Sequence, residues 1–309
     1  MHDSIAIRPA TPDDHQSILQ LAGDVLGWTD TGPHREFFVW KHFENPAGVS
    51  PMWVAIDGEA VVGFRSMLLW QFCQGDTTIT AARAVDTATA ASHRRQGIFS
   101  TLTQAAVENL TANSVDFVFN TPNSSSRPGY LALGWNEAGR VPVSVVPTLR
   151  GLTRTARART AADKWSIPLD AGQPIDALAS DLAHNPAVDA SKVCTHRTQA
   201  FLRWRFGFDP LGYRVISTDD AAAVVRQRRR GPATETVVAD LWADGERSTR
   251  RLVNQLRKLG GDHLIVSAPT LRPWSKLLPM GPKLTTRPLA SAAPTLDRFH
   301  FSVGDIELF

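Results

Sequence analysis

The stretch that decides the fold is His93-Arg94-Arg95-Gln96-Gly97-Ile98-Phe99. The apolar segment 81–90 before it has the pattern of a strand, and the apolar residues after it recur at helical spacing. A strand that turns through a glycine into a helix leaves backbone N–H groups free at the helix start, where the helix dipole also favours an anion. The stretch therefore predicts a phosphate-binding turn, although such junctions also occur in proteins with nothing bound.

A second group of residues follows the next apolar run, 115–119, which has the pattern of a buried strand. This group begins with Asn120-Thr121-Pro122-Asn123 and continues to Pro128-Gly129-Tyr130-Leu131-Ala132-Leu133-Gly134-Trp135. Together the two groups resemble the GNAT superfamily of acyl-CoA-dependent N-acyltransferases over residues 4 to about 148. Arg94-x-x-Gly97 matches the first two anchors of the family's pyrophosphate loop, whereas Phe99 stands where the family has a small residue.

The composition is that of a globular chain with room for two domains. Its 309 residues exceed one ordinary domain, and a hydrophobic content of 43% supports packed cores. A formal charge of +3 is too small to indicate a nucleic-acid partner by itself. Two cysteines and no Cys/His cluster at metal spacing suggest a reduced cytoplasm and no metal site. The sequence has no signal-peptide pattern and no apolar run of membrane-spanning length.

A nine-residue pattern, Trp-basic-x-x-x-Asn/Asp-Pro-x-Gly, occurs at 40–48 and again at 204–212, and a hairpin signal follows each copy. Repetition at one long period predicts two copies of one unit, the alternative being a chance coincidence. We therefore expect an α/β (α+β) fold of two GNAT-like lobes, each a mixed central β-sheet flanked by helices. The expected domains are 1–150 and 165–309, joined by a basic segment, 151–164, that is either a loose linker or a surface helix. Arg-Pro followed by an aromatic residue at 272–274 resembles Arg-Pro-Gly-Tyr at 127–130, which predicts a further part of the repeat.

The second lobe lacks an Arg-x-x-Gly turn between its strand and its helix. Asp244 and Glu246 occupy that place instead, and negative charge disfavours phosphate binding. We therefore expect one cofactor site, in the first lobe.

The GNAT resemblance implies a set of contacts to acetyl-CoA. The turn would hold the pyrophosphate through backbone N–H groups, with side-chain charge from two arginines that could equally form surface salt bridges. The strand end before the turn would pair with the pantetheine arm and polarise the thioester carbonyl. Asn123 would contact the arm or else cap a turn. The predicted cofactor-binding residues are Thr87, Ala88, Thr89, Arg94, Arg95, Gln96, Gly97, Ile98, Phe99, Ser100 and Asn123.

Two residues are the candidates for proton transfer. Tyr130 matches the family's general-acid tyrosine, since a phenol can protonate a leaving thiolate, and its alternative role is packing. Asp86 is the candidate base, because strand alternation places this charge with Ala84 and Ala88 in apolar surroundings. The alternative for Asp86 is a structural ion pair with Arg83 or Arg65. His34 and Glu36 are weaker candidates, and His93 is expected to be a loop residue.

The expected activity is direct acetyl transfer from acetyl-CoA to a primary amine of a small molecule, by a monomer or a homodimer. No Gly-x-Ser-x-Gly motif suggests a covalent intermediate. Two alternatives stay open. One is an aminoacyl-tRNA-dependent transferase, which the basic run 226–230 would suit, although that run is also typical of a solvated hairpin end. The other is a non-catalytic acyl-CoA-binding module.

Overall fold

The computed structural model describes residues 5–28, 32–177, 180, 182, 190–267 and 281–307. The chain forms two compact units. Unit 1 comprises Met1–Phe72, Thr77–Ala138 and Leu284–Thr295, and unit 2 comprises Cys73–Asp76, Gly139–Lys283 and Leu296–Phe309. Each unit thus includes a short piece of chain from the other half of the sequence, and the domain limits 1–150 and 165–309 stay a prediction. The repeat of 127–130 that the sequence predicts at 272–274 lies outside the described residues.

The described chain contains both strands and helices. No described helix has the length and apolar character needed to cross a membrane. The strands are β1 Ala6–Pro9, β2 Met52–Asp57, β3 Ala60–Gln74, β4 Thr77–Thr89, β5 Phe117–Asn120, β6 Asn136–Arg140, β7 Ser144–Pro147, β8 Val193–Thr195, β9 Arg214–Thr218, β10 Ala221–Arg230, β11 Ala233–Ala243, β12 His263–Val266, β13 Lys283–Pro288 and β14 Phe299–His300. The helices are α1 His15–Leu26, α2 His34–Phe43, α3 Ile98–Ala112, α4 Arg127–Ala132, α5 Leu152–Arg157, α6 Gln199–Gly207, α7 Glu246–Leu256 and α8 Val303–Ile306.

The sheet of unit 1 has the strand order β1-β2-β3-β4-β5-β13-β6. The predicted β2–β3 hairpin is confirmed: its strands pair antiparallel, and Gly58 supplies the left-handed turn residue at φ 60°. β4 and β5 are parallel, and β13, from the C-terminal part of the chain, pairs antiparallel with β5. The result is a mixed sheet with its parallel pair at the centre.

Helix α3 packs on the sheet of unit 1 through the apolar face that the spacing predicts. Ile98, Leu102, Ala106 and Leu110 are buried in one cluster with residues of β2, β3 and β4. Burial of a Leu or Ile side chain contributes about 1.5–3 kcal/mol. A Cβ on Gly63 would lie 2.7 Å from Ile98 Cγ2, so the missing side chain lets the helix approach β3 closely. This packing fixes where α3 begins.

Unit 2 repeats this arrangement around a sheet of order β7-β12-β11-β10-β9. β9, β10 and β11 are antiparallel, β11 and β12 are parallel, and α7 follows β11 as α3 follows β4. The repeated turns close with the same hydrogen bond, because Gly48 N–H donates to Asn45 O at 2.9 Å and Gly212 N–H donates to Asp209 O at 2.8 Å. The predicted α/β fold with two similar mixed sheets is therefore confirmed. The basic segment 151–164 contains helix α5 rather than only loose linker.

Candidate functional site

The turn between β4 and α3 presents unpaired backbone donors to solvent. Arg95 has φ 63° and Gly97, the N-cap of α3, has φ 79°. Both are left-handed conformations, which cost a non-glycine residue about 1–2 kcal/mol. No described atom accepts a hydrogen bond from the backbone N–H groups of residues 95–100. The turn therefore combines free donors with the positive end of a 15-residue helix.

His93 ties this turn to the sheet. Its Nε2 lies 2.9 Å from Asp57 Oδ2 at the end of β2, and its Nδ1 lies 2.8 Å from the Ser92 hydroxyl. Both ring nitrogens are thus engaged in holding the loop, which agrees with the expectation that His93 is a loop residue.

The side chains of the predicted pyrophosphate residues divide into two groups. Arg94, Arg95, Gln96 and Ser100 are exposed, as is Gly97, where an added Cβ would meet no heavy atom within 4 Å. Ile98 is buried, and the Phe99 side chain is half-buried. The structure brings these residues together at one exposed turn, while their binding of a ligand stays a prediction.

Phe99 departs from the small residue of the GNAT motif without blocking the turn, because its ring points towards α4. The ring lies edge-on to Tyr130 at a centroid distance of 5.3 Å. A Cβ on Gly129 would lie 3.0 Å from the Phe99 ring. Glycine at position 129 therefore makes room for the large side chain at position 99, and the N–H of Phe99 stays free at the start of α3.

The end of β4 extends beyond its parallel partner. Ala81, Ala82 and Arg83 pair with Phe117, Val118 and Phe119, whereas β4 continues to Thr89. The last residues of β4 therefore diverge from β5 and leave a strand edge that an extended ligand can pair with. Thr87 and Thr89 are half-buried and Ala88 is buried, and Thr87 Oγ1 donates to Phe64 O at 3.0 Å on the β3 side.

Tyr130 lies in α4, and only 4% of the residue is exposed. Its ring packs edge-on to Phe99 and to Trp135, whose centroid is 5.2 Å away. Its hydroxyl accepts a hydrogen bond from Arg65 Nη2 at 2.7 Å. Arg65 is thus a neighbour of Tyr130 and not of Asp86. Strand position alone gave no signal for this contact, which joins residues 65 positions apart in sequence.

Asn123 caps the approach to α4. Its Oδ1 accepts from the backbone N–H groups of Ser125 and Ser126, at 3.0 and 2.8 Å, and from the Ser126 hydroxyl. The capping alternative therefore describes the contacts of this side chain, and its contact with a cofactor stays a prediction.

Asp86 is held by α2, and the expectation of Arg83 or Arg65 as its partner is wrong. Its Oδ2 lies 2.8 Å from Lys41 Nζ and 2.9 Å from His42 Nε2. A basic residue next to Trp40 in the repeated pattern was the one sequence signal for this contact.

Burial and neighbouring charges together determine the protonation states of Asp86 and His42. Burial opposes ionisation of Asp86, but the Lys41 ammonium and His42 outweigh it and hold the pKa of the carboxyl well below its usual range. Burial lowers the pKa of His42, against the opposing effect of Asp86. Asp86 is therefore ionised and His42 neutral at pH 7. His42 Nδ1, which is fully buried, has no hydrogen-bond partner among the described residues.

In unit 2 a carboxylate contacts side chains of the equivalent helix, α7. The Ser248 hydroxyl in the first turn of α7 donates to Asp220 Oδ2 at 2.6 Å, and this bond is the main cause that lowers the pKa of Asp220. Arg251 pairs with the same oxygen at 2.7 Å. The carboxylate at this helix is thus Asp220, in addition to the Asp244 and Glu246 that the sequence places at its start, and a single cofactor site in the first unit stays a prediction.

The basic run at the end of β10 is paired within the protein, and the expectation of a solvated hairpin end is wrong for three of its four arginines. Arg226 is fully buried and bonds to Glu307. Arg228 and Arg230 each pair with the buried Glu235. Arg229 alone is exposed, and it donates to Thr234 Oγ1. The run therefore offers little free positive charge to an anionic partner.

Comparison with known proteins finds a family model that part of the chain matches. Residues 6–138 match the family model described as an acetyltransferase (GNAT) domain. No curated protein sequence matches the chain.

Several solved structures share the fold over most of this chain. A GCN5-related N-acetyltransferase from Kribbella flavida superposes with a TM-score of 0.65 at 14% identity, covering 94% of this chain and 72% of the other. Eis1 from Mycobacterium abscessus gives a TM-score of 0.58 at 15% identity, covering 93% and 74%. A conserved Enterococcus faecalis protein of unknown function, described as a probable N-acyltransferase, gives 0.66 at 11% identity, covering 93% and 73%. At these identities the likeness shows the fold alone.

Proposed function

Because residues 6–138 belong to the GNAT acetyltransferase domain family, we propose that this chain is an acetyl-CoA-dependent N-acetyltransferase. It transfers the acetyl group directly to a primary amine of a small-molecule acceptor. The observation that carries the proposal is the row of free backbone N–H groups at residues 95–100, at the start of α3. Such a row, at the positive end of a helix, suits the diphosphate of coenzyme A.

The residues of unit 1 fit the two ends of acetyl-CoA. The diphosphate binds at residues 95–100, with Arg94 and Arg95 contributing charge from exposed side chains. The pantetheine arm pairs with the edge of β4 at residues 87–89, where β4 runs past β5. Acetyl-CoA supplies the activated thioester, and a backbone N–H at this edge polarises its carbonyl.

Tyr130 acts as the general acid. The amine attacks the thioester carbonyl carbon, the bond between carbon and sulfur breaks, and Tyr130 gives its hydroxyl proton to the departing sulfur. Edge-on packing against Phe99 and Trp135 fixes the position of the Tyr130 ring.

Asp86 serves as the base together with His42. An ionised carboxylate with a strongly lowered pKa is a weak proton acceptor, but its hydrogen bond to Nε2 orients the neutral imidazole of His42. The unpartnered His42 Nδ1 supports this assignment, because it leaves one lone pair available for a proton that reaches it through water. The acceptor amine is thereby deprotonated before it attacks.

A tRNA-dependent activity loses its main sequence support because Arg226, Arg228 and Arg230 pair with Glu235 and Glu307. A cytoplasmic location and a monomeric or homodimeric state remain part of the proposal, on the composition and on the two units in one chain.

The test combines binding and turnover. Coenzyme A, acetyl-CoA and longer acyl-CoAs are added in thermal melts, where ligand at about 100 times its Kd raises the melting temperature by about 5–10 °C. Release of coenzyme A thiol is then followed with glucosamine, spermidine and tyramine as acceptors. Stabilisation without turnover of any amine would favour the acyl-CoA-binding module, and no stabilisation by any coenzyme A derivative would refute the proposal.

A further inference from the structure

Arg65 is a buried cation without a counter-ion among the described residues. It lies in β3 and is 0% exposed. Its Nη2 donates to the Tyr130 hydroxyl at 2.7 Å, and its Cζ lies 5.2 Å from the Phe99 ring centroid and 5.1 Å from that of Tyr130. Its Nε and Nη1 are buried and donate to no atom of the described residues. No described carboxylate lies within ion-pair distance of it.

This arrangement is unfavourable for the resting protein. An ion moved out of water costs several kcal/mol unless a counter-ion and hydrogen bonds compensate it. Cation–π attraction to the Phe99 and Tyr130 rings offsets about 1–2 kcal/mol of this cost. Unit 2 contains a contrasting case, because Arg226 in β10 is equally buried but has Glu307 as its partner. We therefore expect a negative charge to form beside Arg65 during the reaction.

We propose that Arg65 is a positioning residue for Tyr130 that stabilises its phenolate during acyl transfer. The inference rests on the proposed function, since it needs Tyr130 to act as an acid. The guanidinium occupies a lone pair of the phenol oxygen and so directs the hydroxyl proton away from β3. It also places a fixed positive charge 2.7 Å from the oxygen that becomes negative.

The charges balance through the whole step. The amine nitrogen forms a bond to the carbonyl carbon, and the electron pair of the bond between carbon and sulfur passes to sulfur. The Tyr130 proton joins that sulfur, which gives the coenzyme A thiol and a phenolate beside Arg65. The proton that the amine has lost then returns to the phenolate through water, and the guanidinium keeps its own protons throughout.

A double-mutant cycle tests the inference in the full-length chain. Arg65→Gln, Arg65→Lys and Tyr130→Phe are made singly, and each Arg65 variant is also combined with Tyr130→Phe. Arg65→Gln is expected to lower kcat about 10- to 100-fold with KM for acetyl-CoA changed less than about twofold, because a donor to a developing anion acts mainly in the transition state. Arg65→Lys, which keeps a charge and a donor, restores part of that loss.

The Tyr130→Phe chain distinguishes an effect of Arg65 on the Tyr130 hydroxyl from a purely structural effect of Arg65. With Phe at 130 no phenolate forms, so Arg65→Gln is expected to change kcat less than about threefold. An equal loss of kcat in both backgrounds would overturn the inference, as would an Arg65→Gln enzyme with normal kcat. If Arg65→Gln fails to fold, the same comparison is made with Arg65→Lys, for which an expected loss of about threefold to tenfold vanishes in the Phe background. A wild-type chain that turns over no amine refutes the proposed function instead.

Discussion

Replacing Gly97 with aspartate, and in parallel with asparagine, separates charge from shape at the proposed diphosphate site. Gly97 is exposed, and nothing lies within 4 Å of the position that a Cβ would take, so both side chains fit. Both also meet the same left-handed backbone at φ 79°, which Asn and Asp tolerate better than most residues. The two variants therefore differ by one negative charge and by little else.

The cost of that charge follows from Coulomb's law. A carboxylate about 5 Å from one phosphate charge, at an effective dielectric constant between about 20 and 80, loses about 1–3 kcal/mol. The aspartate variant should consequently bind coenzyme A about 5- to 150-fold more weakly than the asparagine variant. The same charge at the N-cap of α3 favours the helix, so the melting temperature of the free protein should not fall below that of the asparagine variant.

Calorimetric titration with coenzyme A measures the effect. The difference between the two variants should shrink when sodium chloride is raised from about 0.1 M to 1 M, because the Debye length falls from about 10 Å to 3 Å. Equal dissociation constants for the two variants at low salt would show that the diphosphate does not lie at residue 97. Weaker binding that accompanies loss of the folded state would not count as support, and the melts identify that case.

Three further results are expected. Asp86→Asn removes the carboxylate that pairs with Lys41 and should lower the free energy of unfolding at pH 7 by about 3–5 kcal/mol. The lowered pKa of Asp86 stabilises the fold fully above the unfolded value of about 3.9 and progressively less below it, so the deficit seen in urea melts should be constant from pH 7 to about 5 and should shrink below about pH 4. A deficit that does not shrink below about pH 4 would contradict this account. Gly129→Ala should lower the free energy of unfolding by about 1–2 kcal/mol, because its Cβ crowds the Phe99 ring. The same loss on adding Gly129→Ala to a Phe99→Ala chain would rule that cause out. The sulfurs of Cys73 and Cys194 lie 3.3 Å apart, so diamide treatment should remove both thiols from a thiol titration. Without diamide, Cys194 should alkylate slowly at about pH 8 because burial raises its pKa to about 12, and rapid alkylation would contradict that burial.

Local patterns carried the parts of the fold that the sequence predicts. The turn at 93–99, the β2–β3 hairpin and the apolar face of α3 each depend on residues within a few positions of one another, so spacing is enough to identify them. The repeated turn at Asn45 and Asp209 was also visible, because each turn places a glycine with positive φ three residues later.

Contacts between distant segments were beyond the same patterns. β13 enters the sheet of unit 1 from the C-terminal part of the chain, and no periodicity within 283–288 tells which sheet it joins. Asp86 was assigned the wrong partners because alternation along β4 does not tell which helix supplies the neighbours of a strand residue, and here helix α2 supplies Lys41 and His42. The arginines of β10 had the charge of a binding surface, and only the tertiary fold revealed their carboxylate partners.

The two units show how one architecture can hold or lose an anion site through few residues. Both have a central strand that outruns its parallel neighbour and then turns into a helix. At α3 the free N–H groups of the turn face solvent beside Gly97, and the side chains of the turn carry positive charge. At α7 the same end of the helix already faces the Asp220 carboxylate, held by Ser248 and Arg251. A phosphate at α7 would approach the negative charge of Asp220, so electrostatics disfavours binding in unit 2 while the fold itself is retained.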